Sequence, residues 1–184
     1  EFATRGYERT TMQDIADALD MTGAALYYYY KAKDELLFAS LDDILTNLIE
    51  TIEKASAEAG PDVVARLRAL VAAHVRFELH DPTVGPLVNA HLYGPRYLVS
   101  ALPTEQQARL RHHQRRIYEL YRGLIEEGVA AGRFDTPDPI LAAFDLLALA
   151  QYPVVWFRPD GRLSLETICR RQADLATKML LAEG

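Results

Sequence analysis

Residues Thr10 to Leu37, TTMQDIADALDMTGAALYYYYKAKDELL, constrain the fold more than any other part of the chain. Thr10 and Thr11 offer hydroxyls at the entry of a short helix whose apolar face carries Ile15, Ala16 and Leu19. The chain breaks at Asp20-Met21, and Thr22 then stands as N-cap of a second short helix with Leu26 turned inward. Two short helices joined by a turn of about three to four residues form a helix-turn-helix, whose second helix can enter a DNA major groove. The small residues Gly23-Ala24-Ala25 let that helix approach DNA without side-chain clash. An aromatic run follows and ends in Lys33, after which Asp34-Glu35 open a longer helix, where negative charge suits the helix dipole.

Beyond Lys33 the chain reads as helix after helix. Leu37, Leu41, Leu45, Leu48 and Ile52 recur at helical spacing and give a long connecting helix that stops before Gly60-Pro61. Asp62 caps the next, which carries Val63, Leu67, Leu70, Val71 and Val75 and ends at Asp81-Pro82. Pro86, Gly94, Pro95 and Pro103 divide a broken region into short helical pieces. Thr104-Glu105 opens a long helix bearing Leu110, Ile117, Leu120, Tyr121 and Leu124, ending at Gly132. Pro137-Asp138-Pro139 starts an apolar helix, Arg158 to Gly161 turns the chain, and Ser164 opens a last helix with Leu165, Ile168, Leu175, Met179 and Leu180. The expected fold class is all-α, with about nine helices.

Composition narrows the function classes. The chain has 184 residues and is 49% hydrophobic, enough for a sizeable core. The single Cys169 excludes an internal disulfide, and no Cys/His spacing resembles a zinc site, so neither metal nor cofactor is expected. No apolar run of membrane-spanning length and no secretory signal are read; the longest apolar stretch, Ile140 to Phe157, is broken by Asp145, Gln151 and Pro153 and reads as a buried helix. No G-x-S-x-G, Walker or H-E-x-x-H pattern is present, and the adjacent His112-His113 point apart on a helix and cannot share one metal. No catalytic residue is assigned, and the chain is not expected to be an enzyme.

The run F-A-T-R-G-Y-E-R-T-T, then Ile15-Ala16, then T-G-A-A-L-Y-Y-Y-Y-K-A-K-D-E-L-L, resembles the N-terminal DNA-binding domain of the TetR family of bacterial repressors. The resemblance implies a helix-turn-helix domain over residues 1–38, its first helix truncated, and a ligand-binding and dimerisation domain over 39–184. In one departure, the turn has Asp20 where the family usually has Gly; Asp tolerates the left-handed conformation better than most residues. Carried over position by position, the DNA-facing residues are Thr11, Thr22, Gly23, Ala24, Ala25, Tyr27, Tyr28, Tyr29 and Lys33. Small residues and Tyr would touch base edges or thymine methyls, while Thr and Tyr hydroxyls and Lys33 would position on phosphates. Ile15, Leu26 and Tyr30 are expected in the core.

Charge pulls the other way. The chain carries −6 overall, and residues 1–40 hold Arg5, Arg9, Lys31 and Lys33 against seven acidic residues, a net of −3. Phosphate contact needs local positive charge. The sequence starts without Met inside a helix, so a preceding arm is expected, of a kind often rich in Arg and Lys in the family.

The last two helices are too apolar for an isolated monomer: Ala142, Ala143, Leu146, Leu147, Ala150, Val154 and Val155 on one, Ile168, Leu175 and Met179 on the other. In TetR-like proteins such a pair builds a four-helix bundle with its copy, and the homodimer so implied would set two recognition helices roughly 34 Å apart on a palindromic site. The middle helices mix polar and aromatic residues among apolar ones, including His74 and Glu78; the candidate ligand contacts are Phe77, Asn89, Tyr93, Tyr118, Tyr121, Arg122 and Trp156, and Tyr97 belongs to the same mixture. Val155 to Gly161, VWFRPDG, resembles a C-terminal domain type of regulators of fatty-acid and sterol degradation, whose effectors are often acyl-CoA thioesters. Arg109, Arg111, Arg115 and Arg116 would then meet CoA phosphates, or else form a solvated helix face balanced by Glu105 and Glu119. The resemblance thus implies a homodimeric repressor of the bacterial cytoplasm, released from a double-stranded DNA operator by a hydrophobic small molecule such as an acyl-CoA, with no membrane partner. The alternative is a helical ligand-binding or adaptor protein that no longer binds DNA.

Overall fold

The computed structural model describes residues 1–93 and 102–182, with all their side chains except those of His91 and Tyr93. In chain order the helices are α1 (Phe2–Arg5), α2 (Met12–Ala18), α3 (Gly23–Tyr29), α4 (Lys33–Glu58), α5 (Val63–His80), α6 (Val84–Val88) with a π-helical turn Asn89–Tyr93, α7 (Thr104–Ala130), α8 (Pro139–Gln151), α9 (Pro153–Trp156) and α10 (Leu165–Lys178). Only Tyr152 separates α8 from α9; counted as one helix broken ahead of Pro153, they leave nine among the described residues. The one β contact among them is an isolated bridge between Phe134 and Leu181.

The caps form where the sequence places them. Thr11 Oγ1 accepts from the Asp14 amide at 3.1 Å while the Asp14 carboxylate accepts from the Thr11 amide at 2.8 Å, a reciprocal capping box at the start of α2. These bonds from Thr11, with Arg5 beside them, hold the Asp14 carboxyl at about 2. Its stabilising effect is therefore complete above the ordinary carboxylate range and disappears only as pH falls toward 2. Asp20 makes the turn at φ 53°, in the left-handed region expected of it. Thr22 Oγ1 accepts from the Ala25 amide and starts α3, and Asp62, Asp138 and Ser164 cap α5, α8 and α10 in the same way.

α4 runs 26 residues without a break from the helix-turn-helix into the rest of the chain. Its Leu37, Leu41, Leu45, Leu48 and Ile52 are all buried, as their spacing requires. α5 packs between α4 and α10, and α7 packs on α4, α5 and α8. Ile15, Leu26, Leu70, Ile117, Leu146 and Ile168 join one continuous apolar core, against which Tyr30 lies half-buried.

Three expectations need correction. Leu19 does not share the inward face of Ile15 and Ala16: it caps α2 as the chain leaves the helix and is 57% exposed. The run from Pro139 to Trp156 does reach the length and hydropathy of a membrane span, and it is not a buried helix, since only 28% of it is covered. Of the two apolar sets assigned to a dimer face, Ala142, Ala143, Leu146, Ala150 and Ile168 turn inward and complete the chain's own core. Ile140, Leu141, Phe144, Val155, Leu175 and Met179 face outward.

The end of α7 depends on a close approach. Gly128 accepts from the Arg133 and Phe134 amides at 2.8 and 3.1 Å, and the Phe134 ring lies where a Cβ on Gly128 would stand. Gly128→Ala is expected to destabilise the fold by about 1–3 kcal/mol through overpacking, read as a lowered midpoint in urea with an unchanged slope.

Candidate DNA-binding face and effector region

α3 buries one residue, Leu26, and leaves Tyr27, Tyr28 and Tyr29 standing out, with Tyr28 76% exposed. Tyr28 and Tyr29 pack edge to face at 5.3 Å, so these two rings brace each other. Ala24 is exposed, Gly23 and Ala25 are half-buried, and the Gly23 position lies close against Gln13 of α2. The two candidate threonines differ at atomic level. The Thr11 hydroxyl donates to the Asp14 carboxylate at 2.6 Å and so has no proton left for a phosphate. Thr22 Oγ1 only accepts, from the Ala25 amide at 3.1 Å, and its proton remains free to donate outward.

The cations divide in the same manner. Lys33 Nζ donates to the Tyr7 carbonyl at 2.9 Å and the Thr10 carbonyl at 3.1 Å, and it stands 4.1 Å from the centre of the Tyr7 ring. The Tyr7 hydroxyl in turn bonds the Asp34 carboxylate. Lys33 therefore clamps the α1–α2 connection onto the start of α4, work the sequence pattern does not reveal. Arg5 is held by Asp14 at 2.9 Å and by Glu1 at 3.4 Å. Lys31 is the exposed cation next to α3: its Nζ lies 3.4 Å from the Tyr28 carbonyl and 6.0 Å from that ring. It was absent from the sequence-based set, although its place directly after the tyrosine run is the signal that marks it.

The candidate ligand contacts do not converge on one cavity among the described residues. Phe77 lines an open groove of about 580 Å³ with Thr51, Ala72, Ala73 and Val84, edged by Arg76, His80 and Asp81. That volume is within the roughly 300–1,000 Å³ of small-molecule sites. Tyr121 is wholly buried and its hydroxyl lies 2.8 Å from His74 Nδ1. Tyr118 stacks on Phe144 at 4.8 Å and carries the Arg122 guanidinium 5.8 Å from its centre, with Glu126 3.4 Å from Arg122 Nε. Trp156 lies over a separate groove formed with Leu163, Ile168 and Leu175. Asn89 Nδ2 donates to the Gly85 carbonyl at 2.9 Å. The Tyr93 side chain and the whole of Tyr97 lie outside the described part of the molecule.

The basic run on α7 is occupied. Arg109 bonds Asp42 at 2.5 Å and Arg116 bonds Glu53, both acids on α4; Arg115 pairs with Glu119 at 3.3 Å and Arg111 donates to Gln107 at 3.2 Å. This is the solvated, charge-balanced face of the two readings, with the balance coming largely from α4. Among the described residues no group of acidic, His and Cys side chains is placed to hold a metal ion. Burial pushes the Cys169 thiol up, away from reactivity.

A helix-turn-helix with an exposed, capped second helix, mounted on an all-helical body, defines a DNA-binding regulator. The family model for bacterial regulatory proteins of the tetR family matches residues 1–40, and the model for the tetracyclin repressor-like C-terminal domain matches residues 60–180. The chain belongs to the TetR family of transcriptional regulators, a family of DNA-binding proteins and not of enzymes. It is 31% identical to the HTH-type transcriptional repressor KstR2 of Rhodococcus jostii (strain RHA1), over 92% of this chain and 80% of that one. To KstR2 of Mycolicibacterium smegmatis it is 26% identical, over 91% and 78%. Among solved structures, a tetR-family regulatory protein from Rhodococcus RHA1 superposes with a TM-score of 0.84 at 27% identity, covering 99% of this chain and 92% of that one. AibR in complex with isovaleryl coenzyme A and operator DNA superposes with a TM-score of 0.80 at 27% identity, covering 98% and 91%.

The clamp gives a direct expectation. Lys33→Ala should lower stability by about 1–2 kcal/mol, because two part-buried carbonyls lose a charged donor. Lys31→Ala should stay within about 0.5 kcal/mol of the unmodified chain. Thermal melts of the two variants side by side check this.

Proposed function

We propose that the chain is a homodimeric, cytoplasmic transcriptional repressor that holds a palindromic operator through α3 and lets it go when a hydrophobic small molecule binds. The observation that carries the reading is the exposed rank Tyr27, Tyr28 and Tyr29 on a helix anchored by Leu26 alone. Large aromatics left in water on a rigid, capped helix have the form of a docking surface. In this reading residues 1–38 are the DNA-binding head and 39–184 the effector and dimerisation body. Gly23, Ala24 and Ala25 allow close approach, and the tyrosines with Thr11 and Thr22 form the contact face. Lys31 supplies a phosphate contact and Lys33 holds the head in register, with its third proton left for the backbone of the DNA.

Dimerisation is supported by the outward apolar set on α8 to α10, above all Leu141, Phe144, Val155, Leu175 and Met179. A monomer seldom leaves so many large apolar side chains uncovered on neighbouring helices. The effector reading draws on the AibR neighbour, whose structure holds isovaleryl coenzyme A, and on the VWFRPDG segment. Its apolar part would lie along the Phe77 groove; Asn89, Tyr118, Tyr121, Arg122 and Trp156 lie outside that groove and would become contacts only if binding rearranges the body. Induction then follows if the ligand prefers the state whose recognition helices are misplaced for DNA.

Three measurements bear on this. In mobility-shift titrations Tyr27→Ala should weaken operator binding and blur base preference, while Lys31→Ala should lower the salt slope by about one unit on every sequence. Equal affinity for both variants, with the fold intact by circular dichroism, would leave the helical carrier or adaptor without DNA contact as the better reading. Leu175→Glu should yield folded monomers in sedimentation, since its side chain is half-exposed in the single chain and an unpaired charge buried in an interface is costly. A medium-chain acyl-CoA should release operator DNA where free CoA does not, each buried methylene contributing about 0.8 kcal/mol. A series of acyl-CoAs that leaves the complex intact would set that effector class aside.

A further inference from the structure

α2 carries a polar side chain that neither its caps nor the core uses. Met12, Ile15 and Ala16 turn inward, whereas Gln13 is exposed where α2 meets the start of α3. Gln13 Nε2 donates to the Asp17 carboxylate at 2.6 Å, one turn further along the same helix. Its Oε1 lies against Gly23, the first residue of α3, and a Cβ on Gly23 would stand 2.6 Å from that oxygen. Glycine at this position therefore leaves the space to the Gln13 carboxamide. The amide's direction follows from its partner: turned about, it would set its carbonyl oxygen against the Asp17 carboxylate, two acceptors without a proton between them. With Nε2 on Asp17, Oε1 has no hydrogen-bond partner among the described residues, and the second Nε2 proton is unused as well.

An exposed carboxamide with one free acceptor and one free donor matches a single base edge in the major groove. Adenine offers its N6 amino group to the carbonyl oxygen and accepts at N7 from the amide. Guanine shows two acceptors there, cytosine one donor, and thymine an acceptor beside a methyl group, so none of these uses both atoms. The placement suits such a contact. In a helix-turn-helix docked on DNA the first residues of the second helix come nearest the base edges, and Gln13 shares their level through its contact with Gly23. The neighbouring Ala24 is exposed and adds little bulk. The bond to Asp17 restricts a side chain that would otherwise lose its rotamer freedom on binding.

We propose that Gln13 reads an adenine in each half-site of the operator, with Asp17 as the positioning residue that holds its carboxamide beside α3. The proposal rests on the reading of α3 as a DNA-recognition helix, and it assigns to α2 a share of the base specificity. A carboxylate beside the DNA weakens attraction to every sequence alike, so the part played by Asp17 shows in base preference and not in overall affinity.

The test selects bound sequences from a random duplex pool with the full-length protein, Gln13→Ala and Gln13→Glu, and then measures affinities for the best operator by mobility shift. The unmodified protein should enrich an adenine, once per half-site, at a position where Gln13→Ala shows no preference, while the other positions of the motif are kept. Changing that adenine should cost the unmodified protein about fivefold or more per half-site, and Gln13→Ala less than about twofold. Gln13→Glu, which accepts but cannot donate, should prefer cytosine there. 7-Deazaadenine, in which only the N7 acceptor is lost, should weaken the unmodified protein and leave Gln13→Ala unmoved. Asp17→Ala should blunt the preference without loss of affinity for unrelated duplex, and Asp17→Asn, which keeps an acceptor, should restore it. The same motif from Gln13→Ala as from the unmodified protein overturns the assignment and leaves the DNA-binding reading standing. So does an equal loss on every sequence, the mark of a phosphate contact, or a change confined to a position held by another base. A pool in which the unmodified protein enriches no motif overturns both.

Discussion

The buried strip of α4 is the constraint on which the rest of the molecule depends. Leu37, Leu41, Leu45, Leu48 and Ile52 are all inaccessible, and they lie on one helix that begins under the helix-turn-helix and ends under the body. The head has little else to hold it. α2 and α3 are 7 residues each, too short to persist alone, and their inward residues Met12, Ile15, Ala16 and Leu26 join the same core. Lys33, at the first residue of α4, fixes the connection before α2 by bonding the carbonyls of Tyr7 and Thr10. The first residue of α4 is thereby tied to the helix-turn-helix, a link that the proposed induction would use.

Much of this was legible in the sequence because the signals were local. Caps at Thr11, Thr22, Asp62 and Ser164 are decided by side chains a few residues away and form where the sequence starts those helices; Asp138 also caps the helix that the sequence starts at Pro137-Asp138-Pro139. The α4 strip is a periodicity, and periodicity survives whatever packs on it. What could not be read was the choice of neighbour. Leu19 sits on the expected face of α2 but falls where the chain leaves it, and no pattern shows that the helix stops one residue earlier. On α8 nearly every position is apolar, so spacing cannot say that Leu146 turns in while Phe144 and Leu141 turn out; the packing of α5 and α7 decides. Lys33 matched a DNA-facing position by pattern, whereas its carbonyl partners lie more than twenty residues earlier in the chain.

The molecule also shows two departures from what a self-sufficient fold requires. On the outside, α8 to α10 present aliphatic and aromatic side chains to water. Inside, His74 and Glu78 hold a donor and an acceptor without partners. Both are costly in an isolated chain, and the first is the surface that the proposed dimer would cover. The overall charge of −6 belongs to the same picture, because the arginines of α5 and α7 are spent on acids of α4 and the body, and few cations are left near α3. In the proposed DNA-binding reading, the part of the contact made by the described residues then rests on the tyrosines more than on a dense basic patch.

The central claim, that α3 reads double-stranded DNA as part of a two-fold dimer, is tested most directly by selection of bound sequences from a random duplex pool by the full-length protein. The account expects enrichment of a palindrome whose half-sites are centred about one helical turn, roughly 10–10.5 base pairs, apart or a multiple of it. A recovered pool without an enriched motif, or with a single half-site bound as well as two, would contradict it.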